Sequence, residues 1–279
     1  MIALLLLSTT HSYSSDIILL NSGATLDSKL TKIVERGIKT EIRAKTVKFS
    51  ADELNQAINS IEDGGRAIII GSDPYINTKL DGKRVVCAIY GKESDCPGVK
   101  LEIDPVHAYK ALKQINQNIK KVQTVVTENT DPRYIERLQK SAQENDISLE
   151  VIIANGADQL AQEWKKILTE VDVSDTAILI ADTNYMKLIG GIRHILNSAW
   201  KKKSMVITTI PSYTSRGISI GAAIDLKDYG SEVSRYLKSE QTTPVYTTSY
   251  TPAINLRQLT RAGYSIKQDQ IDIKVVYIE

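Results

Sequence analysis

Six apolar runs in this chain end abruptly in small polar residues: NSGAT at 21–25, GSDPY at 71–75, TENTDP at 127–132, ANG at 154–156, ADTN at 181–184 and TTIPSY at 208–213. Hydroxyl, amide and carboxylate groups prevail there, and Lys and Arg are scarce. Such a set could fix a small polar or zwitterionic molecule. Helix N-termini would take its carboxylate, Asp73 or Asp182 its ammonium, and tyrosines its body. The candidate ligand-binding residues are Ser22, Thr25, Ser72, Asp73, Tyr75, Asn129, Thr130, Asp182, Asn184, Ser212 and Tyr213. Helix capping predicts much the same residue types, because Asp, Asn, Ser and Thr accept bonds from the first helical turn without any ligand. For Asp182, between the apolar run ILIA and the helical pattern that follows, both readings stand at this level.

Catalytic sets are scarce by comparison. Of three histidines, His11 lies near the N-terminus, and His107 and His194 fall within predicted helices without a Cys, His or Glu partner at ligand spacing. Neither a metal site nor a cofactor is expected. No nucleophile elbow, phosphate-cradling glycine loop or dinucleotide fingerprint occurs, since GGIRHI at 190–195 lies inside a helical pattern. Asp172 and Asp175 read as a solvated loop. A binding protein is therefore expected before an enzyme.

These groups must be positioned by a sizeable fold. The chain has 279 residues, 42% of them hydrophobic, enough for one large domain or two modest ones. Net charge is +2, with 35 basic and 33 acidic residues. They are intermixed, and the basic run Lys201, Lys202 and Lys203 follows a predicted helix whose dipole it suits, which argues against a nucleic-acid partner. The apolar core Ile2 to Leu7, followed by Ser12, Tyr13 and Ser14, is signal-peptide grammar over residues 1–15, with cleavage after Ser14 or Ser15. It lacks a preceding Lys or Arg. No later segment approaches the roughly 20 apolar residues of a membrane span, and no Cys near the cleavage point offers a lipid-anchor site. The expected product is a freely diffusing periplasmic monomer. Cys87 and Cys96 fit that compartment as a disulfide candidate; two reduced thiols are the other reading.

Strand and helix patterns alternate along the chain. IILLN precedes the helix TLDSKLTKIVERG, and EIRAKTVKF precedes SADELNQAINSIE, where Ser50 and Glu53 form a capping box. RAIIIG, a short helix from Asp73, RVVCAIY and VKLEI follow. Asp104 and Pro105 then open the helix VHAYKALKQINQN as N-cap and first-turn proline. The order restarts with KVQTVVT, a helix capped by Asp131, SLEVIIA, ADQLAQEWKKILTE, TAILIA, the helix after Asp182 and MVITTI. This is βαβ grammar, which makes parallel sheets covered by helices. Around ten strands exceed one open sheet, so two α/β lobes are expected, with a seam near Cys96 to Pro105 and ligands beyond the strands' carboxyl ends.

The last quarter carries a more specific pattern. Tyr213, Arg216–Gly217, Gly221–Ala222, Asp228 to Gly230, and Ile254, Asn255, Leu256, Ala262 and Gly263 occur in the order and spacing of a known family. The chain here resembles the ABC-transporter substrate-binding proteins that include tryptophan- and tyrosine-binding members. CPGVKLEIDP resembles that family's crossover, and LIADTN its strand ending in a ligand-facing Asp-Asn pair, although here Thr183 separates Asp182 from Asn184. The likeness spans roughly Arg84 to Ile266.

The resemblance implies a type I periplasmic-binding-protein-like fold, a Venus flytrap of two doubly wound lobes with the ligand cleft between them. Lobe one would comprise 16–103 plus 213–240, and lobe two 104–212 plus 241–279. It implies capture of a small polar ligand, an aromatic amino acid among the options, by hinge closure for an inner-membrane ABC permease. A ligand-sensing subunit of a membrane signalling protein is the alternative role.

Overall fold

The computed structural model describes residues 16–21, 28–50, 53–71, 82–88, 96–181, 191–210, 213–264 and 276–278. The expected leader, the short helix from Asp73 and the junction at Asp182 lie outside them.

The chain begins with β1 (Asp16–Asn21), α1 (Ser28–Glu41), β2 (Ala44–Phe49), the short α2 (Leu54–Asn59), β3 (Arg66–Ile70), β4 (Arg84–Ala88) and β5 (Gly98–Lys100). Of the Ser50 and Glu53 capping box, Ser50 N–H donates to Glu53 Oε2 at 2.9 Å. Next come α3 (Pro105–Ile115), β6 (Lys121–Thr127), α4 (Pro132–Gln143), β7 (Ser148–Ala154), α5 (Gly156–Glu170), β8 (Thr176–Ile180), α6 (Gly191–Lys202) and β9 (Val206–Thr208). A 3-10 turn at Thr214–Arg216 leads to β10 (Ile220–Ile224), α7 (Leu226–Lys238), β11 (Val245–Tyr246), β12 (Tyr250–Asn255), α8 (Leu256–Arg261) and β13 (Val276–Ile278). Asp104 and Asp131 cap α3 and α4 through the N–H groups of Val106 and Arg133, each with a proline in the first turn.

Among the described residues the strands form two sheets, in the orders β11-β5-β4-β3-β1-β2 and β13-β12-β10-β9-β8-β6-β7. Neighbours are parallel except β10 with β12. Central strands such as TAILI of β8 are buried throughout, as a sheet covered on both faces requires. In the second lobe Tyr109, Leu112, Tyr134 and Leu138 of α3 and α4 pack on one face, and Trp164, Ile167, Ile195 and Leu196 of α5 and α6 on the other. In the first lobe α1 and α7 bring Val34, Ile38, Tyr229 and Val233 to one face, while Leu54 and Ile58 of α2 cover the other. Both lobes are thus doubly wound.

The chain passes between the sheets three times: after β5, between β10 and α7, and between β11 and β12. The return to the first lobe falls at Asp225 rather than Tyr213, because β10 pairs with β9 and β12 of the second sheet. Departure from it follows Thr247 rather than residue 240, because β11 pairs with β5.

Cys87 in β4 and Cys96 ahead of β5 form a disulfide, with Cα atoms 5.9 Å apart. Gly98 lies so close to Cys87 that a Cβ there would overlap the Cys87 carbonyl, which explains the glycine that opens β5.

Candidate functional site

Asn129, Thr130 and Tyr213 are described, whereas Ser22, Thr25, Ser72, Asp73, Tyr75, Asp182, Asn184 and Ser212 lie outside the described residues. The site is therefore built from the second lobe's strand ends and the first lobe's β5 and β11.

Thr130 N–H donates to Thr127 O at 2.9 Å, and Glu128 N–H to Ala154 O at 3.2 Å, so the carboxyl ends of β6 and β7 are turned and joined. Asn129, at the tip of this turn, is exposed. Asp131 then closes the turn onto α4. Its carboxylate takes Arg133 N–H at 2.9 Å and the Arg133 guanidinium at 2.9 to 3.2 Å. The arginine beside it holds the Asp131 carboxyl below its usual range.

The ends of β8 and β9 are fixed by hydroxyls. Thr208 Oγ1 donates to Ile180 O at 2.8 Å and accepts from Ile210 N–H at 3.0 Å. Tyr134, from the first turn of α4, shares a 2.7 Å bond with Thr209 Oγ1 and reaches Ala181 O at 3.5 Å. Ala181 is fully buried and immediately precedes Asp182 in the chain. The ends of β8 and β9 are thus braced to each other and to α4. Tyr134 escaped the sequence reading. Its signal was a tyrosine on the apolar face of a helix start, where a buried ring still needs a partner for its hydroxyl.

Tyr213 precedes the 3-10 turn and packs against the second lobe's core, with the Arg216 guanidinium 5.0 Å from its ring centroid. Two residues of the resemblance pattern acquire structural roles nearby. Asn255 Nδ2 donates to Thr214 O at 3.0 Å while its Oδ1 caps α8, and Gly221 leaves the space that Thr214 occupies.

The lobes meet beside the crossings. Arg137 of α4 places Nη2 2.5 Å from Asp104 Oδ2 at the first crossing and Cζ 3.9 Å from the ring centroid of Tyr246 in β11. Lys100 Nζ approaches the same ring at 5.7 Å. Burial, reinforced by Glu102, raises the Tyr246 hydroxyl above its ordinary pKa. A cavity of about 440 Å³ lies here, lined from the second lobe by Tyr134 and Arg137 and from the first by Lys100, Pro244 and Tyr246. At the third crossing, Glu232 of α7 accepts from Thr247, Thr248 and Ser249. Asp225 N–H also donates to Ser249 O at 3.0 Å, coupling the second crossing to the third. At His107 in α3, burial lowers the imidazole pKa, and its ring lies 4.8 Å from that of Tyr250. Among the described residues no group of three or more His, Cys, Asp or Glu side chains could hold a metal ion. None of their helices is long and apolar enough to cross a membrane. The arrangement offers a small molecule polar and charged groups from both lobes.

No protein-family model and no curated protein matches the chain. Solved structures do. The ABC domain from Streptococcus pneumonia in complex with L-Trp superposes with a TM-score of 0.63 at 15% identity, over 95% of this chain and 100% of that one. A ligand-free, open substrate-binding protein with adhesive properties from Clostridium difficile gives 0.65 at 12% identity, over 95% and 99%. The transcription regulator CcpA of Lactococcus lactis gives 0.51 at 17% identity, over 86% and 97%. At such identities the likeness shows the fold alone: two lobes of the type I periplasmic-binding-protein kind, which both binding proteins and regulators share.

Proposed function

We propose that this protein captures a small polar solute between its lobes and presents the closed form to an inner-membrane ABC permease. The observation that carries this reading is the meeting of strand ends from both lobes at three short crossings, where Arg137 and Tyr246 line one cavity. A solute touching both walls favours the closed state by its differential contacts, and no chemical step is needed. The disulfide between Cys87 and Cys96 supports an exported, periplasmic protein over a cytoplasmic regulator of the same fold, because such bonds persist in oxidising compartments.

The polar strand ends favour a zwitterion, and the resemblance to tryptophan- and tyrosine-binding proteins favours an aromatic amino acid. The test is a thermal-shift panel of the twenty amino acids, small amides and sugars, followed by calorimetry on Asp182→Asn. A ligand at 100 times its dissociation constant adds about 2.7 kcal/mol to stability. If the Asp182 carboxylate pairs with a ligand ammonium, Asn keeps the cap but loses the charge. Binding then weakens by roughly 2 to 5 kcal/mol while the unliganded melting temperature holds. Unchanged affinity would return Asp182 to helix capping. A flat panel from folded, ligand-free protein would sink the zwitterion reading.

A further inference from the structure

The inter-lobe cavity has a charge pattern that capture of a zwitterion does not require. Arg133, Arg137 and Lys140 recur along α4 at spacings of four and three, which places them on one helical face. Lys100, at the end of β5, lines the same space from the other lobe. These four cations share the cavity wall with two carboxylates, Asp131 and Glu136. Asp104, which binds Arg137, and Glu102, which acts on Tyr246, are not part of the wall, and among the described residues that line it positive side chains outnumber negative ones. Asp104 engages Nη2 of Arg137, and among the described residues the arginine's buried Nε has no hydrogen-bond partner. Like charges gathered in a half-enclosed space repel one another, and guanidinium and ammonium donors on opposite walls match the geometry of an oxyanion.

We propose that this cavity binds a small anion bearing two or more oxyanion charges, a dicarboxylate or a phosphate, which bridges Lys100 of the first lobe to the basic face of α4. Because the walls belong to different lobes, the bound anion also shifts the balance of lobe angles. The inference rests on the proposed capture at this cavity and names an anion as the species held there.

Isothermal titration of the whole protein with succinate, citrate and inorganic phosphate at constant ionic strength tests it, the three arms separating carboxylate from phosphate chemistry. At least one should bind. Lys140→Glu, at an exposed position that leaves the core intact, should weaken that binding at least about tenfold, the equivalent of one charge-assisted contact. Lys100→Gln should weaken it in the same direction. Lys165→Glu on α5, across the sheet, should leave it unaltered. Absence of binding by all three anions, or binding that Lys140→Glu and Lys100→Gln leave intact, overturns the proposal. Either result is distinct from the outcome of the amino-acid panel.

Discussion

Glu232 Oε1 receives both donors of Thr248, the backbone N–H at 3.0 Å and the hydroxyl at 3.0 Å. Its other oxygen takes Thr247 Oγ1 at 2.7 Å and Ser249 Oγ at 3.0 Å. One side chain of α7 thereby fastens the whole third crossing to the first lobe. Glu232→Gln replaces one acceptor oxygen with an N–H donor, which the Thr248 backbone N–H cannot use. Stability should fall by roughly 1 to 3 kcal/mol in urea unfolding. The Thr248 amide should exchange faster, while those of β10 stay protected. Unchanged exchange at Thr248 would show that the clasp does not restrain the crossing.

Helices α1 and α7 touch through Gly37 and Gly230. A Cβ on Gly37 would overlap Lys227 O, and one on Gly230 would overlap Val34 O. Ser234 Oγ donates across the contact to Ile38 O at 3.2 Å. Either glycine changed to alanine should destabilise the fold by roughly 1 to 3 kcal/mol, despite the roughly 1 kcal/mol that alanine gains in helix propensity. Chemical denaturation decides it, and a stabilised variant would mean that the helices separate at little cost.

Replacing Cys87 and Cys96 together by alanine, or reducing the protein, should remove about 2 to 3 kcal/mol, the value expected for closing so short a loop. The reductant should shift the unfolding midpoint of the native protein and leave that of the double variant unmoved. Equal responses would place the reductant's effect elsewhere.

Burial holds the His107 pKa below its ordinary 6.5, the cost of charging it outweighing the pull of Asp104. The unfolded chain therefore takes up this proton first, and stability drops as pH falls from about 6.5 through the folded value. Carboxylates such as Asp131 and Glu150, whose pKa values folding lowers from 3.8 and 4.5, act only at more acid pH. Comparing urea unfolding at pH 7.5 and 5.5, His107→Gln should lose most of this dependence. A slope that survives the substitution would assign it to other groups.

Local features were legible in the sequence. The Asp-Pro pairs at 104 and 131 cap the helices they were expected to cap, because capping involves only neighbouring residues. The two-lobed architecture followed from alternating apolar periods. Which sheet a late strand joins was harder to read. β10 looks like any apolar strand, and its pairing with β9 and β12 is what assigns it to the second lobe, while Val245–Tyr246 is too short to carry a period. The long-range side-chain contacts of the site were hidden for the same reason. Tyr134 meets Thr209 across 75 positions and Arg137 meets Asp104 across 33, and no local pattern distinguishes those side chains from ordinary residues of an amphipathic helix.

The three crossings also govern the order of folding. Ser234, which bonds to Ile38, lies 196 positions further along the chain. The apolar face of α1, with Val34 and Ile38, meets its cover of Tyr229, Val233 and Tyr236 only once α7 has been made. As the polypeptide leaves the ribosome, its first half therefore stays an incomplete, chaperone-accessible intermediate through most of synthesis.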